Sequence, residues 1–521
     1  MLFPHIKKAL SMSANKTPPE TMAWGEGVFL VSLPICILVA LLGIIDPDGL
    51  ARIAGAITDA TFRALDWFYL SIIVGFLVLS LWLAFGKYGR LKLGGPDTEP
   101  EFAYPSWLAM LFAAGMGAGL LYWGVAEPVL HFTQAPGHVP GSPAAARHAM
   151  VMTIFHWGIH AWAVYSIAAL VLAYFGFRRQ TPYLPGAPLR SAFTGWWVKP
   201  VGLLADILAI VAVALGVAGA VAMGILQLQS GLHVVIGTPS NSTMVLVVLL
   251  ALVVASYMTS AATSVDKGIR ILSNLNMGMA IVLMLFVLLV GPTGALLRNV
   301  LTAFGDYTSQ LASLSFQLYP YQDEAVSTWF RGWTVTYFIW WISWAPFVGV
   351  FIARISRGRT IREFVMGVLV VPTLFTILWF SIYGGLGLYE ELYGAGGLVA
   401  LVQQDINIAL FAFFDRLPLS LFLSWVSLIL VFIFVVTSVD SATFVLGMLT
   451  TQGALNPPVR RKLTWGVTLG ALGAAMMFAG NPAAIKAVSV VGAIPFTFIL
   501  LLQIAALLRA LAEDTAEKGI S

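Results

Sequence analysis

Trp333-Thr-Val-Thr-Tyr-Phe-Ile-Trp-Trp-Ile-Ser-Trp-Ala-Pro-Phe347 crowds tryptophan into the middle of a long apolar run. At helical spacing Trp333, Tyr337, Trp340 and Trp344 fall in one stripe, with Trp341 on the adjoining flank. Pro346 follows and is expected to interrupt the helix. Flat rings on one face have two uses. One is a helix-packing seam or an interfacial belt. The other is an aromatic cage for a cation that cannot donate hydrogen bonds, typically a quaternary ammonium. A belt places its rings near span ends, whereas these lie well inside the run, which favours the cage.

Around this stretch the 521-residue chain is 59% hydrophobic and 10% charged, with a mean hydropathy of +0.89. A water-soluble chain of this size cannot hide so much apolar surface, so lipid is the expected solvent for most of it. The single cysteine, Cys36, excludes an internal disulfide or thiolate cluster. The N-terminus, Met1-Leu-Phe-Pro-His-Ile-Lys-Lys, does not read as a cleaved secretory signal.

About twelve apolar segments reach spanning length, near 27–46, 66–86, 106–128, 148–175, 206–236, 243–263, 275–296, 328–354, 364–388, 418–445, 463–480 and 484–509. Residues 298–318 alternate apolar and polar positions, as an interfacial helix does. Basic loops alternate with less basic ones. One side carries Lys87, Arg90 and Lys92, then Arg178, Arg179, Arg190 and Lys199, then Lys267 and Arg270. It continues with Arg354, Arg357, Arg359 and Arg362, and with Arg460, Arg461 and Lys462. By the positive-inside rule that side is cytoplasmic and so are both termini. The resulting division is a cytoplasmic segment 1–26, two peripheral helices in 27–90, a first repeat 106–296, an interfacial helix 297–320, a second repeat 328–509 and a short cytoplasmic tail 510–521.

Two spans carry breaking signals. The third contains Gly115-Met-Gly-Ala-Gly119, then Gly124 and Glu127-Pro128; the eighth contains Ala345-Pro346. Each opens a set of five spans, and an odd number inverts the second set relative to the first. That is the inverted-repeat layout of secondary transporters, whose sites form at discontinuous helices.

The fourth span reads His156-Trp-Gly-Ile-His-Ala-Trp-Ala-Val-Tyr165. On a continuous helix Trp157, Trp162 and Tyr165 lie within about 140° of one another and can complete a cage. His156 and His160 have metal-pair spacing but no third ligand group, so hydrogen-bonded structural histidines are preferred. In Val436-Thr-Ser-Val-Asp-Ser-Ala-Thr443 the hydroxyls either bond back to helix carbonyls or give Thr437 and Ser438 as hard oxygen ligands for Na⁺. Asp440 is an ionisable residue within a span. A channel with an aromatic constriction and an intramembrane enzyme using Glu127, Asp440 and the His156/His160 pair are the rival classes; the paired breaks and the cage fit a closed, alternating site better than a channel, and no nucleophile–base pattern or metal motif accompanies the enzyme candidates.

These motifs, and above all Trp340-Trp-Ile-Ser-Trp-Ala-Pro-Phe-Val-Gly-Val-Phe-Ile-Ala-Arg-Ile-Ser-Arg-Gly-Arg-Thr360, resemble the betaine/choline/carnitine transporter family over nearly all the spans. The resemblance implies an all-α polytopic membrane protein: a LeuT-like core of two inverted five-helix repeats behind two extra helices, usually a homotrimer. It implies a transporter rather than an enzyme, with no cofactor, no nucleic-acid partner, and membrane lipid around it. By position Trp157, Trp162, Tyr165 and Trp341 match the central aromatic box, Trp340 and Trp344 match tryptophans of the inner pathway, and Met116, Gly117, Ala118 and Gly119 flank the substrate. One Na⁺ site of the family takes carbonyls matching Ala113, Met116 and Phe434 and hydroxyls matching Thr437 and Ser438. A second uses two threonines, which here are Val213 and Val217, so that site should be lost. Met277 stands where sodium-independent exchangers carry an arginine. One Na⁺ per cycle or H⁺ coupling is therefore expected. Gly119 stands where choline-carrying relatives often have Asp, which ranks glycine betaine first, carnitine or a dimethylsulfoniopropionate-type sulfonium next and choline last. The family also has osmosensing members with a long charged extension; the short tail after Arg509 implies constitutive or nutritional uptake at a bacterial inner membrane.

Overall fold

The computed structural model describes residues 19–115, 117–263 and 266–517, and among these the chain is helical without a β-strand. Two helices come first, α1 (Pro19–Ile45) and α2 (Pro47–Phe85). Then follow α3 (Tyr104–Gly115), α4 (Ala118–Gln134), α5 (Pro143–Trp157), α6 (Ile159–Arg178), α7 (Val198–Ile236), α8 (Thr243–Thr263) and α9 (Asp266–Val290). The chain continues through α10 (Thr293–Ser315), α11 (Thr336–Ile355), α12 (Ile361–Tyr393), α13 (Ser420–Leu449), α14 (Val459–Phe478), α15 (Pro482–Val491) and α16 (Ala493–Glu517).

Among the described residues nine helices are long and apolar enough to cross a membrane, or ten if α9 and α10, bent by 115°, count as one span. The difference from the twelve expected segments has local causes. The third segment is divided ahead of Ala118, with Gly117 as the cap, into α3 of 12 residues and α4 of 17, each short of the roughly 20 residues a span needs. The eleventh, α14, opens Val-Arg-Arg-Lys, and its basic first turn lowers its apolar content. Nine or more such helices in a chain this apolar make it an integral membrane protein.

One expected break falls elsewhere, and one break was not expected. Pro346 does not interrupt its helix: α11 runs through it from Thr336 to Ile355. A proline removes one backbone donor, and within a buried bundle the neighbours hold the helix straight enough to continue. The irregularity instead precedes α11, as a π turn at Arg331–Val335. The fourth segment, read as one helix, is broken at Gly158 into α5 and α6, so Trp157 does not share a helical wheel with Trp162 and Tyr165. A β-carbon at Gly158 would lie 2.5 Å from the Ile154 carbonyl oxygen and 2.7 Å from the Tyr307 hydroxyl, which only glycine avoids.

α11 packs chiefly on α6, and α13 on α7, so the two halves meet along the cavity described below. At the end of the bundle bearing Arg354 and Lys462, the last described helix is fastened to α6. Asp514 receives Arg178 at 2.8 Å, Arg179 at 3.0 Å and the Tyr174 hydroxyl at 2.7 Å.

Candidate binding site

A cavity of about 560 Å³ is lined by residues of α4, α5, α6, α7, α9, α11 and α13, among others. Its lining includes Gly117, Ala118 and Gly119 from the start of α4, Trp157 and Tyr165 from either side of the Gly158 break, and Trp340, Trp341 and Trp344 from α11. Phe434, Thr437 and Ser438 of α13, Val217 of α7 and Met277 of α9 close the perimeter. Along α11 the lining runs from Trp340 to the exposed Arg354. Beyond Trp340, Tyr337 is buried and the half-buried Trp333 packs against the core instead. The cavity therefore leads toward the basic end and is shut at the other.

The rings meet edge to face, so several present their electron-rich faces in different directions. Trp157 and Trp341 are 4.9 Å apart at 70°, Tyr165 and Trp341 6.2 Å at 75°, and Trp162 and Tyr165 5.5 Å at 77°. Trp162 supports the Tyr165 ring and is not itself a cavity wall. Trp340 stacks on Trp341 at 6.2 Å and 13°. Two of these rings are fixed by more than packing. Trp341 Nε1 donates to the His156 carbonyl at 2.8 Å, and Trp157 Nε1 donates to Glu127 Oε2 at 2.7 Å.

Gly119 is where α4 approaches the cage most closely. A β-carbon there would sit 3.1 Å from Trp157 Cη2, so any side chain must push the ring. Since α4 begins at Ala118 and its cap residue Gly117 supplies no side-chain acceptor, first-turn N–H groups of α4 stand at the cavity wall. A helix start of this kind attracts anionic groups. Across from it, Ser438 Oγ lies 3.7 Å from where a Gly117 β-carbon would be, which brings the α13 hydroxyls to the break in the third segment. Thr437 Oγ1 donates back to the Ile433 carbonyl at 2.8 Å, leaving its lone pairs for another donor or a cation. Ala113 lies in α3, and Met116 falls outside the described residues. Val213 is buried and Val217 lines the cavity, each a threonine shape without the oxygen.

The histidines do not pair with each other. His156 bonds Glu127 at 2.7 Å and Thr334 at 2.9 Å, while His160 bonds Ser315 at 3.0 Å. Glu127 is the hub that reading the sequence misses. Fully buried, it takes Trp157 Nε1, the Tyr337 hydroxyl at 2.6 Å, His156 and, at 3.3 Å, His131. Ligand atoms of Glu127, His131 and His156 all lie within 4.8 Å of one another, but the cation next to this group is already supplied by the chain, as Lys486. The signals for this cluster are the Glu127/His131 pair at i, i+4 and a lysine inside an apolar segment.

Residues 27–516 match the family described as BCCT, betaine/carnitine/choline family transporter. The chain belongs to that family. As a transporter of the betaine/carnitine/choline family it is not an enzyme. It is 40% identical over 493 residues to a Bacillus subtilis protein named glycine betaine transporter OpuD, covering 94% of this chain and 95% of the relative. It is 38% identical over 488 residues to an ectoine/hydroxyectoine transporter of Virgibacillus pantothenticus, covering 93% and 96%. A glycine betaine transporter of Acinetobacter baylyi is 37% identical over 504 residues, covering 96% of this transporter and 76% of the relative.

Proposed function

We propose that this transporter imports a quaternary-ammonium zwitterion, glycine betaine first, by alternating access through the 560 Å³ cavity. The observation that carries this reading is the placement of Trp157, Tyr165 and Trp341 on one cavity wall with the amide-bearing start of α4. Trimethylammonium groups have no N–H, so ring faces stabilise them by about 0.5–2 kcal/mol per good contact. The carboxylate at the other end of such a substrate meets the first turn of α4. The names of the Bacillus and Acinetobacter relatives point to the same substrate.

In this reading Thr437 and Ser438, with the carbonyls of Ala113, Met116 and Phe434, hold one Na⁺ that travels with the substrate, or else H⁺ drives the cycle. Val213 and Val217 offer no second oxygen site. The helices form a LeuT-like core of two inverted five-span sets, 106–296 and 328–509, behind 27–90. The basic end is cytoplasmic, with segments 1–26 and 510–521 on that side and the 297–320 helix in the interface. The cavity then opens inward. A homotrimer in a bacterial inner membrane is the proposed assembly.

Uptake of labelled glycine betaine into proteoliposomes, with a Na⁺ gradient, an H⁺ gradient or neither, tests the reading. Gradient-driven accumulation supports it. Uptake that needs no gradient and speeds up on preloading identifies an exchanger, and absence of any uptake overturns the substrate. Unlabelled carnitine, choline and a sulfonium analogue as competitors rank specificity.

A further inference from the structure

Beyond Trp340, on the shut side of the cavity, a second aromatic group is filled by a cation of the protein's own. Lys486 of α15 places its Nζ 4.3 Å from the centroid of Trp333, 5.3 Å from Trp123 and 5.7 Å from Tyr337. Trp123 meets Trp333 at 5.8 Å and Tyr337 at 5.9 Å, both edge to face, and Trp333 stacks on Tyr337 at 6.1 Å. The side chain is buried, and among the described residues it makes no ion pair. Its polar partner is the Gly332 carbonyl at 3.4 Å, in the π turn ahead of α11. The ionisable groups around it are Glu127, which receives the Tyr337 hydroxyl, and His131, whose ring lies 4.5 Å from Trp333.

The geometry points to Lys486 as a tethered latch: its ammonium, held by Trp123, Trp333 and Tyr337 beside Glu127, keeps that end of the cavity shut and must leave this group for the end to open. Three features carry this. The latch spans separate pieces of chain, α4, the π turn with α11, and α15, so its rings cannot part while the ammonium bridges them. A lysine taken out of water needs compensation, and rings, one carbonyl and a nearby carboxylate are what the structure supplies. Tyr337 belongs to both aromatic groups, touching Trp123 and Trp333 on one side and Trp157 at 5.8 Å and Trp341 at 5.9 Å on the other. Lys486 is thus a positioning residue, acting on the cage through Tyr337 and Glu127. The inference rests on the alternating-access reading given above.

The test places a reporter cysteine at Val217, on the cavity wall, in the full chain with Cys36→Ser, reconstituted in one orientation. A membrane-impermeant maleimide is applied from either face. Lys486→Met keeps length and volume without charge; it is expected to raise labelling from the face opposite Arg354 at least fivefold and lower it from the Arg354 face. Lys486→Arg is expected to keep the parent pattern, and Trp333→Leu to reproduce Lys486→Met with the lysine intact. Equal labelling of the parent, Lys486→Met and Trp333→Leu overturns the latch. Trp333→Leu decides the matter should Lys486→Met fail to fold. Protection of the cysteine by glycine betaine in the Lys486 parent reports separately on the transport reading: loss of protection with the labelling shift intact sinks the substrate, and the reverse sinks the latch.

Discussion

Two aromatic groups meet at Tyr337, yet one borders a cavity and the other is filled by a side chain of the protein. In the first, Trp157, Tyr165 and Trp341 line 560 Å³ of space. In the second, Trp123 and Trp333 close on the Lys486 ammonium. Their side-chain chemistry is nearly the same. The difference lies in where the cation comes from: a ligand must be captured from water, whereas a lysine on α15 is always at hand. A ring cage is therefore not by itself a binding site, and an accessible cavity together with fixed ring orientation distinguishes the two. Glu127 ties them together, holding Trp157 of one and Tyr337 of the other with the same oxygen.

The largest expected effect comes from cutting that tie. Glu127→Ala strands the Trp157 indole N–H, the Tyr337 hydroxyl and His156 in a buried setting, each unsatisfied group costing about 1–3 kcal/mol. Thermal unfolding in detergent should show a drop of several degrees and uptake should vanish. An unchanged midpoint with intact uptake breaks the proposed link between the groups.

Trp341→Leu keeps apolar bulk and removes the ring face. Substrate affinity by tryptophan-fluorescence titration should weaken by about 1–2 kcal/mol, roughly fivefold to thirtyfold. Affinity equal to the parent removes Trp341 from the cage and leaves the cavity group no different in kind from the filled one.

The double change Thr437→Ala, Ser438→Ala should abolish any Na⁺ dependence of uptake. Thr437 mainly bonds its own helix, so the fold should shift by less than about 1 kcal/mol. Retained Na⁺ dependence moves the ion elsewhere. The smallest effect is expected of Gly119→Ala. Its methyl group would sit 3.1 Å from Trp157, and displacing the ring costs affinity by about 1 kcal/mol. No effect would mean that Trp157 has slack and that its orientation is not critical.

Much of this was legible in the chain. Tryptophans at helical spacing define a face whatever they pack against, so the stripe on α11 could be read directly. The glycine cluster at 115–119 marks a stretch where helix is weak, and α3 does end there. Thr437 and Ser438 could be flagged because hydroxyls are conspicuous among apolar neighbours. Other features depend on tertiary partners. Pro346 reads as a breaker in isolation, yet the bundle carries α11 through it. Gly158 reads as ordinary within a helix, yet Tyr307 packs against it from α10. Lys486 meets Trp333 across a separation of about 150 residues, and periodicity within one segment has no access to such a pairing.

The break at Gly158 leaves peptide groups that no helical ladder serves. Three side chains from three helices take them up: Trp341 on the His156 carbonyl, Thr376 on the Trp157 carbonyl and Tyr307 on the Ile159 N–H. Rotation of α10, α11 or α12 must therefore renegotiate a bond at this one joint. Deuterium uptake at the Ile159 amide, whose guard is a phenol rather than a carbonyl, would then serve as a label-free strain gauge for the whole bundle.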